Sequence, residues 1–167
     1  MTNLVIHALQ VGGGTLALTS MPGKGGDYAG DLETIGDWRP GLVLSMTTEA
    51  ELVQFGARDF GRDVQGRASR WVHLPIQDFD VPPAEVDTQW PEVSAAARQA
   101  LSGGGRVLVH CQGGCGRSGM AVLRLMIECG EAPTQALDRL RKLRPCAVET
   151  DAQKHGATLP ARALADS

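Results

Sequence analysis

The sequence predicts a single α/β domain with a mainly parallel sheet and helices on both faces. Short apolar, β-branched runs alternate along the chain with longer segments of helical periodicity, the pattern of strand–helix–strand units. The length of 167 residues suits one hydrophobic core. No internal repeat and no long linker divides the chain. We therefore expect one domain over residues 1–167.

The first half of the chain contains most of the predicted strands. Apolar runs place them at residues 4–6, 15–19, 42–44 and 71–74. Apolar residues three apart over residues 31–38 predict a helix. Thr48 stands three residues before Glu51, a capping-box spacing that predicts the start of a second helix. The proline-rich segment 75–83 is a predicted loop.

The second half is predicted to be mainly helical. One helix is expected to have Pro91 in its first turn and to end at the glycines of residues 103–105. Residues 106–109 predict a buried strand, and residues 118–129 are apolar almost all round, as in a helix inside the core. Residues 133–144 predict an amphipathic helix. We interpret its basic residues as a solvated face: Arg139, Arg141, Lys142 and Arg144.

Composition excludes several classes of function. The net charge of −3 gives no global attraction for nucleic acid or for an anionic membrane surface. No apolar stretch approaches the roughly 18–20 residues of a membrane span, and the N-terminus lacks a signal-peptide pattern. The four cysteines have irregular spacing, unlike a secreted disulfide framework. We therefore expect a cytoplasmic protein with reduced thiols that binds neither nucleic acid nor membrane.

The clearest chemical signal is a glycine-rich loop between the strand at residues 106–109 and the next helix. Three glycines lie between Cys111 and Arg117, and they allow successive backbone N–H groups to point into one concavity. The following helix adds its positive N-terminal end. A phosphate fits such a cup, and the guanidinium of Arg117 can close it. The predicted phosphate-binding residues are Gln112, Gly113, Gly114, Cys115, Gly116 and Arg117.

Cys111 begins this loop and is the predicted nucleophile. Backbone N–H groups, a helix N-terminus and a guanidinium all stabilise a thiolate, which can attack phosphorus in line and form a phosphocysteine. Ser118 is placed to donate a hydrogen bond to the sulfur when it leaves. We expect His110 to orient the loop through backbone contacts and to transfer no proton.

The loop resembles the signature of the protein-tyrosine-phosphatase superfamily, His-Cys-x-x-Gly-x-x-Arg-Ser/Thr. His110, Cys111, Gly114, Arg117 and Ser118 fill its specified positions, and the similarity extends over about residues 40–160. The resemblance implies a four- or five-stranded sheet, no metal and no cofactor. It also implies a monomeric dual-specificity-like phosphatase acting on a phosphorylated protein or a small phosphomonoester. The uncharged loop argues against a densely charged substrate.

The family also implies a general acid upstream of the loop. In the segment from His73 to Pro83, alignment with dual-specificity phosphatases favours Asp78 as that acid, with Asp80 as the rival. Both aspartates could instead serve only as turn residues. Residues 144–153 resemble a second family segment, in which Thr150 caps the last helix and Gln153 helps to place a water.

Several alternatives stay open at this stage. A rhodanese-like sulfurtransferase also uses a cysteine loop, and a pseudophosphatase would bind phosphorylated partners without turnover. Cys115 could hold zinc together with His110, or it could capture an oxidised Cys111 as a disulfide. Cys129 and Cys146 are interpreted as core or helix-end residues.

Overall fold

The computed structural model describes residues 4–158, which form five strands and seven helices. The strands are β1 (His7–Val11), β2 (Gly14–Thr19), β3 (Leu42–Ser45), β4 (Arg70–His73) and β5 (Arg106–His110). The helices are α1 (Tyr28–Trp38), α2 (Glu49–Gln54), α3 (Phe60–Gln65), α4 (Ala84–Ser102), α5 (Gly116–Glu128), α6 (Pro133–Leu143) and α7 (Asp151–Thr158).

The strands form one sheet in the order β1-β2-β5-β3-β4. Only the β1–β2 hairpin is antiparallel, and the other three pairings are parallel. The central strand β5 therefore ends between the carboxyl ends of β2 and β3, with His110 opposite Thr19 and Ser45. Ligands of open α/β sheets bind at this edge. The prediction of a mainly parallel sheet is confirmed.

Helices cover both faces of the sheet, as predicted. Along β5, Val107 and Val109 point into one apolar cluster and Leu108 points into the other. The first cluster is completed by buried side chains of α4 to α7, and the second by those of α1 to α3. Both faces of β5 are apolar for this reason, which explains the continuous apolar run read from its sequence.

The N-terminal strand differs from the prediction. Residues 4–6 are not a strand, and β1 covers His7–Val11 instead. Its position follows from the turn: Gly12 and Gly13 both have positive φ (59° and 96°) and join strands paired in the register Val11 to Gly14. A two-residue turn of this kind fixes the hairpin register. Two of the apolar residues 4–6 contact the core without pairing in the sheet, since Leu4 is buried and Ile6 packs partly against the same cluster, whereas Val5 is exposed.

The start of α4 also differs from the prediction. The helix begins at Ala84, after Pro83, so Pro91 lies in its interior rather than in its first turn. An interior proline removes one helical hydrogen bond. The helix persists because Trp90, Val93 and Ala97 bury one apolar stripe.

Two further observations concern the helices. Helix α3 lies in a segment for which no element was predicted. Within residues 4–158, no helix has the length and apolar character needed to cross a bilayer.

Candidate active site

Cys111 directly follows the central strand, at the edge of the sheet where β2, β3 and β5 end together. Its side chain is buried and its thiol is free. The sulfur lies 3.1 Å from the hydroxyl oxygen of Ser118, in the first turn of α5. The structure therefore brings together these two residues of the predicted site.

The carbonyl groups of residues 112–115 are all held from outside the loop. Met21 N–H donates to the carbonyl oxygen of residue 112 at 2.9 Å, and Val148 N–H donates to that of residue 115 at 3.1 Å. The Arg144 guanidinium donates to the carbonyl oxygens of residues 113 and 114, at 2.9 and 3.2 Å. In a trans peptide the C=O and the N–H point in opposite directions. The N–H groups of residues 113–116 therefore turn away from these partners, toward the inside of the loop.

Close packing explains one of the loop glycines. Gly114 has φ +72°, and a Cβ there would lie 2.9 Å from the backbone nitrogen of Ser20. Any other residue would have both an unfavourable conformation and a backbone clash. The predicted phosphate-binding residue Gly114 thus lets the loop lie against the end of β2.

Arg117 is fixed by a buried ion pair that the sequence analysis did not identify. Its side chain is 1% exposed, and its two terminal nitrogens donate to the carboxylate of Glu51 at 2.7 and 2.8 Å. One of them also donates to the carbonyl oxygen of Ile76 at 2.8 Å. The capping box formed by Thr48 and Glu51 is present as predicted and orients this carboxylate. Sixty-six residues separate Glu51 from Arg117, so no local spacing could reveal the pair.

The charges around Arg117 keep it protonated. Burial alone would disfavour the charged form. The bond to Glu51 and the negative charges of Cys111 and Asp78 outweigh burial and raise the pKa of the guanidinium. Within residues 4–158, the Nε of Arg117 is buried and has no hydrogen-bond partner. An unsatisfied buried donor costs about 1–3 kcal/mol, which favours an acceptor such as a phosphate oxygen at this position.

The two aspartates considered as the general acid lie at different distances from Arg117. Asp78 Oδ1 lies 3.4 Å from an Arg117 nitrogen, and its side chain is 41% exposed. Each carboxylate accepts from the backbone N–H of the next residue, Asp78 from Phe79 at 3.0 Å and Asp80 from Val81 at 2.8 Å. The carbonyl oxygen of Asp80 also accepts from Gln153. The structure therefore places Asp78, and not the Asp80 carboxylate, beside the predicted phosphate clamp. The catalytic roles of both stay predictions.

His110 is buried behind the nucleophile. Its Nε2 lies 2.6 Å from the hydroxyl oxygen of Ser45, which also accepts from the indole N–H of Trp71 at 2.8 Å. Burial lowers the pKa of His110 to about 4. The imidazole is therefore neutral near pH 7 and links β5 to β3 and β4.

Two predicted residues, Thr150 and Gln153, lie at the start of the last helix and bond to the segment that precedes it. Gln153 is fully buried, and its side-chain oxygen accepts from the N–H groups of Glu149 and Thr150. Thr150 caps α7 as expected, accepting from the N–H of Gln153 at 3.0 Å.

The solvated basic face predicted on α6 is exposed at Arg139, Arg141 and Lys142, as expected, whereas Arg144 is only partly exposed. The three arginines also make contacts with other parts of the fold. Arg141 donates to the carbonyl oxygens of residues 147 and 148, and Arg144 to those of Gly113 and Gly114. Arg139 donates to the carbonyl oxygen of Gln10 and pairs with Glu131. These arginines connect elements of the fold, which spacing along one helix could not show.

Cys115 and Cys146 form a disulfide, with 5.1 Å between their Cα atoms. The expectation that all thiols are reduced is wrong for this pair, as is the interpretation of Cys146 as a core or helix-end residue. Cys111 and Cys129 are free. Since the sulfur of Cys115 is bonded to Cys146, it is available neither to zinc nor to an oxidised Cys111 in this state. Among the residues described, no group of three His, Cys, Asp or Glu side chains could hold a metal ion.

Comparison with known proteins gives consistent matches. The model of the family described as "Swiss Army Knife protein, DSP-PTPase phosphatase domain" matches residues 41–157. Kinase associated phosphatase (KAP) with its catalytic-site cysteine replaced by serine is similar in structure (TM-score 0.85, 23% identity, covering 100% of this chain and 99% of that chain). So is Tk-PTP in its active form (TM-score 0.70, 28% identity, covering 90% and 92%).

Human DUSP28 is a further structural neighbour, with a TM-score of 0.63 and 20% identity over 90% of each chain. The family match covers most of the chain and includes the loop from Cys111 to Arg117. It confirms the resemblance drawn from that loop. The chain belongs to the family of DSP-PTPase phosphatase domains.

Proposed function

We propose that this protein is a phosphomonoester hydrolase that works through a phosphocysteine intermediate on Cys111. The observation that carries the proposal is the unpartnered, buried Nε of Arg117 at a loop whose N–H groups face inward. A fixed guanidinium and several amides form a site for a tetrahedral dianion. The free thiol of Cys111 lies at the start of the same loop.

In the first step, phosphate oxygens accept hydrogen bonds from the N–H groups of residues 113–116 and from Arg117. The thiolate of Cys111 forms a bond to phosphorus while the bond from phosphorus to the ester oxygen breaks. Asp78 donates a proton to that departing oxygen, so an alcohol or phenol is released. The exposure of Asp78 beside Arg117 supports this role.

In the second step, water attacks the phosphocysteine and Asp78 accepts its proton. The bond from sulfur to phosphorus breaks, inorganic phosphate forms, and Cys111 returns as a thiolate. The Ser118 hydroxyl stabilises this sulfur anion by a hydrogen bond, in keeping with the 3.1 Å separation. The position of Asp78 favours turnover over a pseudophosphatase that only binds phosphate.

For the substrate we propose a phosphorylated protein or a small phosphomonoester. The loop carries no lysine that would favour a polyphosphate. We further propose that residues 1–167 act as one catalytic domain, as a monomer in the cytoplasm. A panel of phosphopeptides and small phosphoesters would test the substrate class.

Hydrolysis of para-nitrophenyl phosphate without added metal tests the mechanism. We expect turnover by the wild type, none by Cys111→Ser, and a kcat lowered roughly 10²–10⁴-fold in Asp78→Asn, as for a lost general acid. Asp80→Asn is the matched control, two residues away in the same loop, and should stay close to wild type. Full activity of Cys111→Ser would contradict the phosphocysteine mechanism, and a slow Asp80→Asn with a normal Asp78→Asn would reassign the acid.

A further inference from the structure

The disulfide joins the loop from Cys111 to Arg117, called here the phosphate loop, to the segment between α6 and α7. Cys115 lies within the loop, directly before α5, and Cys146 lies two residues after Arg144. Both side chains are partly exposed, in contrast to the buried nucleophile Cys111. A reductant or an oxidant in solution can therefore reach this pair more easily than it can reach Cys111.

The same two segments are also joined by weaker contacts. Arg144 donates to the carbonyl oxygens of Gly113 and Gly114, and Val148 N–H donates to that of Cys115. These bonds turn the loop amides inward. The disulfide is the one covalent tether between the two segments among residues 4–158. Its reduction would leave the orientation of the amides to a few exchangeable hydrogen bonds.

We propose that Cys115–Cys146 is a reversible redox modification site that controls the affinity of the adjacent loop for phosphate. The oxidised pair holds the loop amides in the binding arrangement, and reduction allows other loop conformations. This inference rests on the proposed function only in that the loop must bind phosphate. It involves neither oxidation of Cys111 nor a change in the bonds made during hydrolysis.

The redox step is a thiol–disulfide exchange with a small disulfide, such as glutathione disulfide. The Cys115 thiolate attacks one sulfur of that disulfide, forms a mixed disulfide and releases one small thiolate. The Cys146 thiolate then attacks the Cys115 sulfur and releases the second. The protein loses two electrons and two protons, and both appear in two molecules of the small thiol. An excess of a dithiol such as dithiothreitol reverses the reaction.

The test uses the full chain with Cys111→Ser, so that the nucleophile can be neither oxidised nor phosphorylated. It is equilibrated at several ratios of glutathione to glutathione disulfide. Alkylation by N-ethylmaleimide followed by mass measurement then reports the state of the pair. Under oxidising conditions Cys129 alone should react, whereas under reducing conditions Cys115 and Cys146 should become reactive together.

Binding of inorganic phosphate to the same samples is measured by calorimetry. We expect the Kd to rise about threefold to tenfold on reduction, which corresponds to a binding-competent loop population of about a third to a tenth. Adding Cys146→Ser should give the weaker Kd under both conditions. Adding Cys129→Ser, a matched change of a free cysteine, should leave the response to redox conditions intact.

Equal phosphate affinity in the oxidised and reduced states would overturn the inference, as would failure of the pair to oxidise at any ratio. Hydrolysis of para-nitrophenyl phosphate by the wild type separates this from failure of the proposed function. If the wild type is active and the affinities are equal, only redox control is refuted. If the wild type is inactive and no phosphate binds in either state, both proposals are refuted.

Discussion

The ion pair between Glu51 and Arg117 gives a sharp test of how the phosphate clamp is held. The change Glu51→Gln keeps the size of the side chain but removes its charge. The side chains of Glu51 and Arg117 are 13% and 1% exposed, so solvent screens the pair little. The variant leaves a buried guanidinium opposite a neutral amide that can accept a hydrogen bond from only one of the two nitrogens.

The expected magnitude follows from this burial. Removing one partner of a buried ion pair costs about 3–5 kcal/mol. Because glutamine retains one hydrogen bond, we expect the lower end, about 3 kcal/mol in the free energy of unfolding. For a chain of this length each kcal/mol lowers Tm by about 2–4 °C, so the expected fall is about 6–12 °C. A decrease in kcat/KM should accompany it, since Arg117 loses its fixed orientation.

Urea unfolding and thermal unfolding measure this effect, with Glu49→Gln as the matched control. Glu49 lies in the same helix and is exposed, so its substitution should change stability by no more than about 0.5 kcal/mol. The hydrogen bonds from Arg117 lower the pKa of Glu51 from its ordinary value of 4.5, although burial acts in the opposite direction. The stability from Glu51 is therefore fully present above about pH 4.5 and is lost as the pH falls through the lowered value. Equal effects of Glu51→Gln and Glu49→Gln at pH 7 would refute a structural role for the pair.

Two further predictions concern the loop. Cys146→Ala should lower the free energy of unfolding by about 3–4 kcal/mol, which is the loop-closure value for a disulfide of sequence separation 31. Wild type in excess dithiothreitol should lose the same amount. Equal urea midpoints of the oxidised wild type and the variant would contradict this. Gly114→Ala should weaken phosphate binding in calorimetry at least tenfold, because its Cβ would meet the backbone at Ser20. Gly56→Ala is the control, since Gly56 has nearly the same φ (+73°) but nothing within 4 Å of a Cβ, and it should lose only about 1 kcal/mol of stability with unchanged phosphate affinity.

The parts of the fold that sequence predicted well have local causes. The run at residues 107–109 is apolar because β5 is buried on both faces there, and the capping box at Thr48 depends only on residues three apart. The loop from Cys111 to Arg117 was recognisable for a similar reason, since its glycines and its flanking elements are contiguous in the chain.

The parts that sequence missed depend on contacts between distant residues. Glu51 meets Arg117 across 66 positions, and Arg144 reaches the phosphate loop across about 30. The same is true of the disulfide, whose separation of 31 residues carried no recognisable spacing. The error at β1 is different, because Leu4 is buried and Ile6 is partly buried without belonging to the sheet, while Val5 between them is exposed.

The outward anchoring of the carbonyl groups of residues 112–115 has a consequence for turnover. A loop whose shape is imposed by its neighbours is ready for a tetrahedral anion before any ester arrives. Free inorganic phosphate matches that shape as well as the phosphoryl group of an ester does. Under the proposed mechanism the reaction product therefore competes with substrate, and hydrolysis slows as phosphate accumulates.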